Sequence, residues 1–233
     1  MDYARIVQPL SVDPMRVAVF SDIHGNLPAL ETFVKDTQGK VDGYICLGDV
    51  VNYGPWNDEC LEMVLALPGI ILLQGNHERL FLGEDMLKQE IPLVQEFFRY
   101  SCPHFTRRDL ICRLPSSVEI GNYLCVHTID RQRIYPNTAI SVFRNHFVGH
   151  THYPCKVQSG PYVVVNTGSV GQNRQRGDRI CYAVYDVDTG RVDLCESVYP
   201  WQRMLDEMHV RGYSRVCLEY YEKKIHAGRG DAG

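Results

Sequence analysis

Residues 16–26 read R-V-A-V-F-S-D-I-H-G-N, and no other stretch narrows the fold as far. The first half is an apolar run rich in Val and Phe, the composition of a strand buried on both faces. The second half turns at once to Asp22, His24, Gly25 and Asn26, residues that ligate metals or form turns. A buried strand ending in Asp-x-His delivers a carboxylate and an imidazole to the carboxyl edge of a sheet, where open α/β sheets bind ligands. Strand alternation sends residues 22 and 24 to one side. Asp, Gly and Asn are also ordinary turn formers, so the fragment alone reads equally as a turn or as half of a metal site.

The pattern then repeats. Pro28 suits a first helical position, Leu27, Leu30, Phe33 and Val34 share one helical face, and Gly39 is a stop. Residues 44–47 form a second apolar strand, followed by Gly48, Asp49 and a polar loop to Pro55. Cys60, Leu61, Val64 and Leu65 make the face of a second helix that ends near Pro68. Residues 70–73 are a third strand, followed by Gly75, Asn76, His77 and Glu78. Three such units predict a parallel, doubly covered sheet. Asp22, Asp49 and Asn76 are spaced 27 residues apart, and right-handed crossovers of that length put all three loops on one edge.

Residues 79–115 read as mixed helical sequence inserted between strands, either a lid or a flanking layer. Leu93, Phe97, Phe98 and Tyr100 share a face, and T-R-R-D at 106–109 resembles a capping box before Leu110, Ile111 and Leu114. From residue 116 the period shortens. Strands are predicted at 117–120, 123–126, 147–148, 162–165, 181–186 and 192–197, with hairpin turns at 121–122 and 188–190. They read together as a second, more antiparallel sheet. Residues 200–225 return to helix, with Trp201, Met204, Leu205 and Met208 on one face and a break at Gly212. The organisation expected is an extension at 1–15, a main domain at 16–199 with the helical insertion, the helical segment at 200–225, and a disordered tail at 226–233. Met15 is a candidate alternative start, and the Arg-Gly-Asp triplet of the tail reads as accidental.

Composition excludes several classes. With 233 residues, 45% hydrophobic and 22% charged, the chain is an ordinary globular protein with a sizeable core. A net charge of -4 carries no basic footprint, so nucleic acid is an unfavoured partner. The nine Cys form no C-x-x-C pair, and several lie in apolar runs where a thiol behaves as a small hydrophobe. That usage, with no secretory leader and no apolar run of membrane-spanning length, predicts a reduced, cytoplasmic protein without a membrane partner. Oligomeric state has no signature in the sequence.

The second half adds His127 at a strand end and His150 and His152 in V-G-H-T-H. Five of nine His now sit at strand ends beside Asp or Asn, which favours ligation over five separate structural roles. Asp22, His24, Asp49, Asn76, His127, His150 and His152 supply the donors that two metals need, with Asp49 as the natural bridge. Mixed N and O donors without thiolate suit two divalent transition metal ions, manganese foremost, with Fe, Zn, Ni or Co as alternatives.

The series D-I-H-G-N, G-D-V-V-N-Y-G-P, G-N-H-E, V-H and G-H-T-H resembles, in order and spacing, the calcineurin-like metallophosphoesterases. N-T-G-S-V-G-Q-N-R at 166–174 resembles a segment of their small bacterial and archaeal phosphodiesterase branch. The resemblance implies a four-layer α/β/β/α sandwich of two mixed sheets. It implies one metal on Asp22, His24, Asp49 and His152, and another on Asp49, Asn76, His127 and His150. It further implies in-line attack of a metal-bridging hydroxide on a small or nucleotide-like phosphodiester or phosphomonoester. His77, left without a metal, would protonate the leaving oxygen from an imidazole near its ordinary pKa. For substrate contacts, Asn26 is a candidate from the first loop. Among Arg131, Arg133, Arg144, Arg174 and Arg176, Arg174 matches a family position. Asn52 and Tyr53 stand where the protein Ser/Thr phosphatases carry Asp and Arg, Thr128 stands where Gly is usual, and Thr167 replaces the usual Pro. The rival functions are Ser/Thr protein phosphatase, dinucleoside polyphosphate hydrolase, nuclease, and a catalytically silent scaffold or sensor.

Overall fold

The computed structural model describes residues 15–227, and the expectations for residues 1–14 and 228–233 lie outside them. Strands β1 (Arg16–Phe20), β2 (Gly43–Cys46) and β3 (Ile70–Leu72) run parallel. Helices α1 (Leu27–Thr37) and α2 (Asn57–Leu65) return the chain between them. Alternation along β1 sets the layers. Ala18 and Phe20 pack beneath Leu30 and Phe33 of α1, while Val17 and Val19 face the second sheet.

That second sheet comprises β4 (Ser117–Ile120), β5 (Tyr123–Val126), β6 (Asn145–Val148), β7 (Cys155–Ser159) and β8 (Tyr162–Asn166), in the order β4-β5-β6-β8-β7. Its two inner pairings are parallel and its two outer ones antiparallel, so it is more mixed than the sequence predicts. Strand β7 is absent from the sequence expectation although C-K-V-Q-S alternates, because only Cys155 and Val157 in it are apolar and Lys156 and Gln158 face outward on an edge. The last strands, β9 (Arg179–Asp186) and β10 (Val192–Val198), correct another expectation. They extend the first sheet, in the order β10-β9-β1-β2-β3, rather than the second. β9 is buried along nearly its whole length and so needs a partner on each side, which β1 and β10 supply.

The sandwich is thus two mixed five-stranded sheets with flanking helices. The outer face of the second sheet is covered by Ile134 and Val142 from the β5–β6 connection, against Val148 and Val164. In the insertion, α3 (Asn76–Leu82), α4 (Pro92–Ser101) and the single-turn α5 (Arg108–Ile111) are helical. Val94 and Phe97 of α4 pack with Met208, Cys217 and Tyr221 of α6 (Gln202–Val210) and α7 (Arg215–Ala227), so the insertion is a packed layer. No capping box forms at 106–109. Thr106 instead gives its amide and hydroxyl to Asp58, and Arg107 caps α5 without a side-chain bond. All nine Cys are free thiols, seven of them buried.

The segment after β8 closes over the first motif. Val170 N and Gly171 N donate to Ser21 O and Asp22 O, each at 3.0 Å. Thr167 N donates to Val148 O at 3.0 Å, a bond that the usual Pro cannot make. A Cβ on Gly171 would lie 1.7 Å from Ile23 O, so backbone would have to move. Gly171→Ala is therefore expected to destabilise by about 1–3 kcal/mol, read as a lower urea midpoint at unchanged slope. A wild-type midpoint would refute this clasp.

Candidate metal centre

The loops after β1, β2, β5 and β6, together with the start of α3, meet at one sheet edge. Five of the seven expected donors lie in the left-handed backbone region: Asp22 (φ 57), His24 (φ 53), Asp49 (φ 58), His150 (φ 69) and His152 (φ 64). For residues with a Cβ this costs of order 1 kcal/mol or more each, and it persists because the loops over-determine it. Asp22 N donates to Gly48 O, His24 N to Asp49 O and Gly25 N to Val50 O, at 2.8–3.1 Å.

The donors fall into two groups that share an edge. Asp22, His24 and His152 form one, and Asp49, His127 and His150 the other. His24 also lies within reach of Asp49 and His77. Asn76 Oδ1 joins the second group, 3.0 Å from His127 Nε2 and 2.9 Å from His150 Nδ1.

The hydrogen bonding around each donor tests whether cations fit. His24 Nδ1 lies 3.0 Å from Val51 O, and His152 Nδ1 lies 2.8 Å from Gln172 O. A carbonyl only accepts, so each Nδ1 carries the proton. In the neutral rings the two Nε2 lone pairs then face each other across 3.2 Å. Asp22 Oδ1 faces the same point, 3.1 Å from His152 Nε2. It is buried without a hydrogen-bond partner, while Oδ2 accepts from Ser21 Oγ and His150 N. In the second group His127 Nδ1 bonds Leu47 O at 3.1 Å, turning Nε2 toward Asp49 Oδ2 at 3.1 Å and toward Asn76 Oδ1. In the first group buried acceptors converge with no hydrogen between them, which is costly unless a cation sits there. The donor set fits a pair of divalent ions.

Protonation follows the same geometry. Burial lowers His150 to about 4. Burial also lowers His152 to about 4, against Asp22, so both rings are neutral and ready to ligate. Asp22 and Asp49 are held well below the ordinary carboxylate range. Burial opposes this, but His152 and His24 outweigh it at Asp22, and His127 and His77 at Asp49. At His127 burial, the largest influence, disfavours charge, yet Asp49, Asp22 and Glu78 raise it to about 9. Without a cation, a proton takes the place between His127 and Asp49.

His77 stands over the edge, its Nε2 3.9 Å from Asp49 Oδ2. Its Nδ1 lies 2.9 Å from Asn52 Nδ2. Asn52 Oδ1 already accepts from Ser101 Oγ and Tyr53 N, so its amide N–H donates to His77 Nδ1 and the ring proton sits on Nε2. Burial lowers His77 to about 3. This corrects the expectation of an imidazole near its ordinary pKa: the ring is a neutral N–H donor. Asn26 is corrected too. It is fully buried, Oδ1 caps α1 by accepting from Ala29 N, and both Nδ2 protons go to Gly171 O and Tyr199 Oη. No donor remains for phosphate. Arg174 is partly buried beside Tyr220.

Sequence reasoning passed over Glu78. Its fully buried carboxylate accepts from the backbone N–H of Asp49, Val50, Val51 and Gly75, and so sets the loop that carries Asp49. Its place directly after N-H in G-N-H-E was the available clue. Asn57 was missed as well. Its Oδ1 accepts from Asn52 N and its Nδ2 donates to Gly54 O.

Two outcomes follow for His127. Its folded pKa lies above the ordinary 6.5, so the stability it contributes to metal-free protein is complete below about pH 6.5 and lost as pH rises through about 9. Thermal melts of chelator-treated protein between pH 6 and 10 should show that decline, and His127→Gln should flatten it. At pH 7.5, binding of divalent metal should release a proton from this ring, read by calorimetry in buffers of different ionisation enthalpy. Uptake without proton release would contradict the assignment.

Known proteins carry the same frame. An uncharacterised protein of Methanocaldococcus jannaschii is 24% identical over 229 residues, covering 82% of this chain and 91% of its own length. The crystal structure of a metallophosphoesterase from Sphaerobacter thermophilus superposes with a TM-score of 0.75 at 26% identity, covering 93% of this chain and all of that one. A hypothetical protein from Pyrococcus horikoshii superposes at 0.77 with 20% identity, over 89% and 97% of the two chains. A sequence model of the calcineurin-like phosphoesterases matches residues 15–162, a span that contains every donor described above, and the chain accordingly belongs to the calcineurin-like phosphoesterase family.

Proposed function

We propose that the protein is a dinuclear-metal-dependent phosphoesterase acting on a phosphodiester or phosphomonoester of a small or nucleotide-like substrate. The observation that carries this reading is the convergence of buried lone pairs at the sheet edge, beneath a single N–H donor. One ion would be held by Asp22, His24, Asp49 and His152, the other by Asp49, Asn76, His127 and His150. Mixed N and O donors suit Mn, Fe, Zn, Ni or Co, and manganese is the ion to be tried first. The chemistry supplied by two such ions is acidification of water and neutralisation of charge developing on phosphoryl oxygens.

The chain's own residues do the rest. Glu78 holds the Asp49 loop, and Val51 O and Gln172 O hold two imidazoles with Nε2 forward. His77 presents Nε2–H to the leaving oxygen, aimed by Asn52, whose own amide is fixed by Ser101 and Tyr53 N. A neutral donor favours esters whose leaving oxygen needs a hydrogen bond rather than a full proton, as in aryl esters. Asn52 supplies no carboxylate behind His77 and Tyr53 no guanidinium, which weighs against a protein Ser/Thr phosphatase.

Chelator-treated protein should regain hydrolysis of a generic aryl phosphodiester on adding divalent metal, most strongly with manganese. Asp49→Ala should abolish it. His77→Ala should cost about 10²–10³-fold in kcat, and His77→Gln, which keeps an N–H donor, should recover part of that loss. Equal turnover by wild type and Asp49→Ala would sink the two-metal mechanism. No turnover of any mono- or diester with metal bound would favour a silent scaffold on this fold.

A further inference from the structure

The segment after β8 joins the metal centre to α7. Gln172 O accepts from His152 Nδ1 at 2.8 Å, while Gln172 Oε1 accepts from Tyr220 Oη at 3.0 Å. Gly177 N donates to Lys224 O at 3.2 Å, and a Cβ at 177 would meet Lys224 Cβ and Ile225 N at 2.8 Å. Loop and helix are therefore pressed together at both ends of the stretch 172–177 that carries Arg174. Arg174 lies close enough for its charge to act on Tyr220, His152, Tyr53 and Lys224. Lys224 Nζ donates to the same Tyr220 hydroxyl and lies 3.7 Å from that ring's centre.

A guanidinium and an amine thus share the surroundings of one tyrosine without an anion. Arg176 and Arg179, close by, share Glu196. Among the described residues no carboxylate pairs with Arg174 or Lys224, and the buried Arg174 Nε has no acceptor. Burial and then Arg174 lower Lys224 to about 6, so at pH 7 the amine is largely unprotonated until a counter-charge arrives to draw a proton onto it. Such an arrangement is costly in isolation and is relieved by an anionic ligand with oxygen acceptors.

We propose that Arg174, Lys224 and Tyr220 form an anion subsite beside the metal centre that takes a second phosphoryl group of the substrate. The substrate class is then a phosphoester carrying a further phosphate, an assignment that rests on the phosphoesterase reading, whereas the anion subsite does not.

The first measurement needs no catalysis. Inorganic phosphate is titrated calorimetrically into the full chain, freed of metal, at pH 7. Binding is expected in wild type, weakened at least about tenfold in Lys224→Gln and in Arg174→Gln, retained in Lys224→Arg, and unchanged in Arg176→Gln. Absence of phosphate binding in wild type, or wild-type affinity in Lys224→Gln, overturns the subsite. The second measurement compares thymidine 5′-(p-nitrophenyl phosphate) with and without a 3′-phosphate under manganese. The kcat/KM ratio of the 3′-phosphorylated to the plain ester is expected to fall about tenfold in Lys224→Gln. An unchanged ratio beside weakened phosphate binding assigns the subsite to free phosphate and overturns the substrate class. If neither ester is hydrolysed, the phosphoesterase reading and the substrate class fall together, and the titration alone decides the subsite.

Discussion

Buried acceptors held face to face govern this structure. At the first group imidazole nitrogens and a carboxylate oxygen point at one another across about 3 Å, and nothing in the chain places a hydrogen between them. Such a set does not assemble by local preference, because each member would rather face water or a donor. The fold supplies a second restraint on the far side of each group. His24, His127 and His152 each give their Nδ1 proton to a carbonyl, and Asp22 Oδ2 is tied by Ser21 and a backbone amide. The sheets, turns and flanking helices serve to anchor those outer partners.

Restraint is layered. Glu78, one residue beyond His77, gathers four backbone amides from two loops into one carboxylate. Burial and the neighbouring Asp49 raise its pKa, while the amides it binds lower it. Asn57 fixes Asn52, which fixes His77, and Ser101 of the inserted α4 completes the same chain of bonds. The insertion therefore reaches the site through one hydroxyl as well as through the apolar layer it builds with α6 and α7.

Much of this was legible in the sequence. Periodicity alone recovers β1, β2, β3 and their helices, because buried parallel strands are short apolar runs and the crossovers are amphipathic. Matched polar residues at successive strand ends placed Asp22, His24, Asp49 and Asn76 on one edge. Long-range partnership was not legible. β9 and β10 look like any late hairpin, and only the empty edge of β1 draws them into the first sheet. Asn26 looks like a free loop amide until Gly171 O and Tyr199 Oη arrive from the other end of the chain. The state of His77 is likewise set by Ser101, 24 residues further on, through an amide whose orientation no local pattern reveals.

The left-handed backbone at five donors has a further consequence. Glycine tolerates that conformation without a Cβ penalty, whereas Asp and His hold it under strain. Replacing one of these donors by Gly would relax the loop and remove a crowded acceptor while destroying the cation site. Selection for thermal stability alone would therefore erode this edge, because its ligands persist against the folding preference of their own positions.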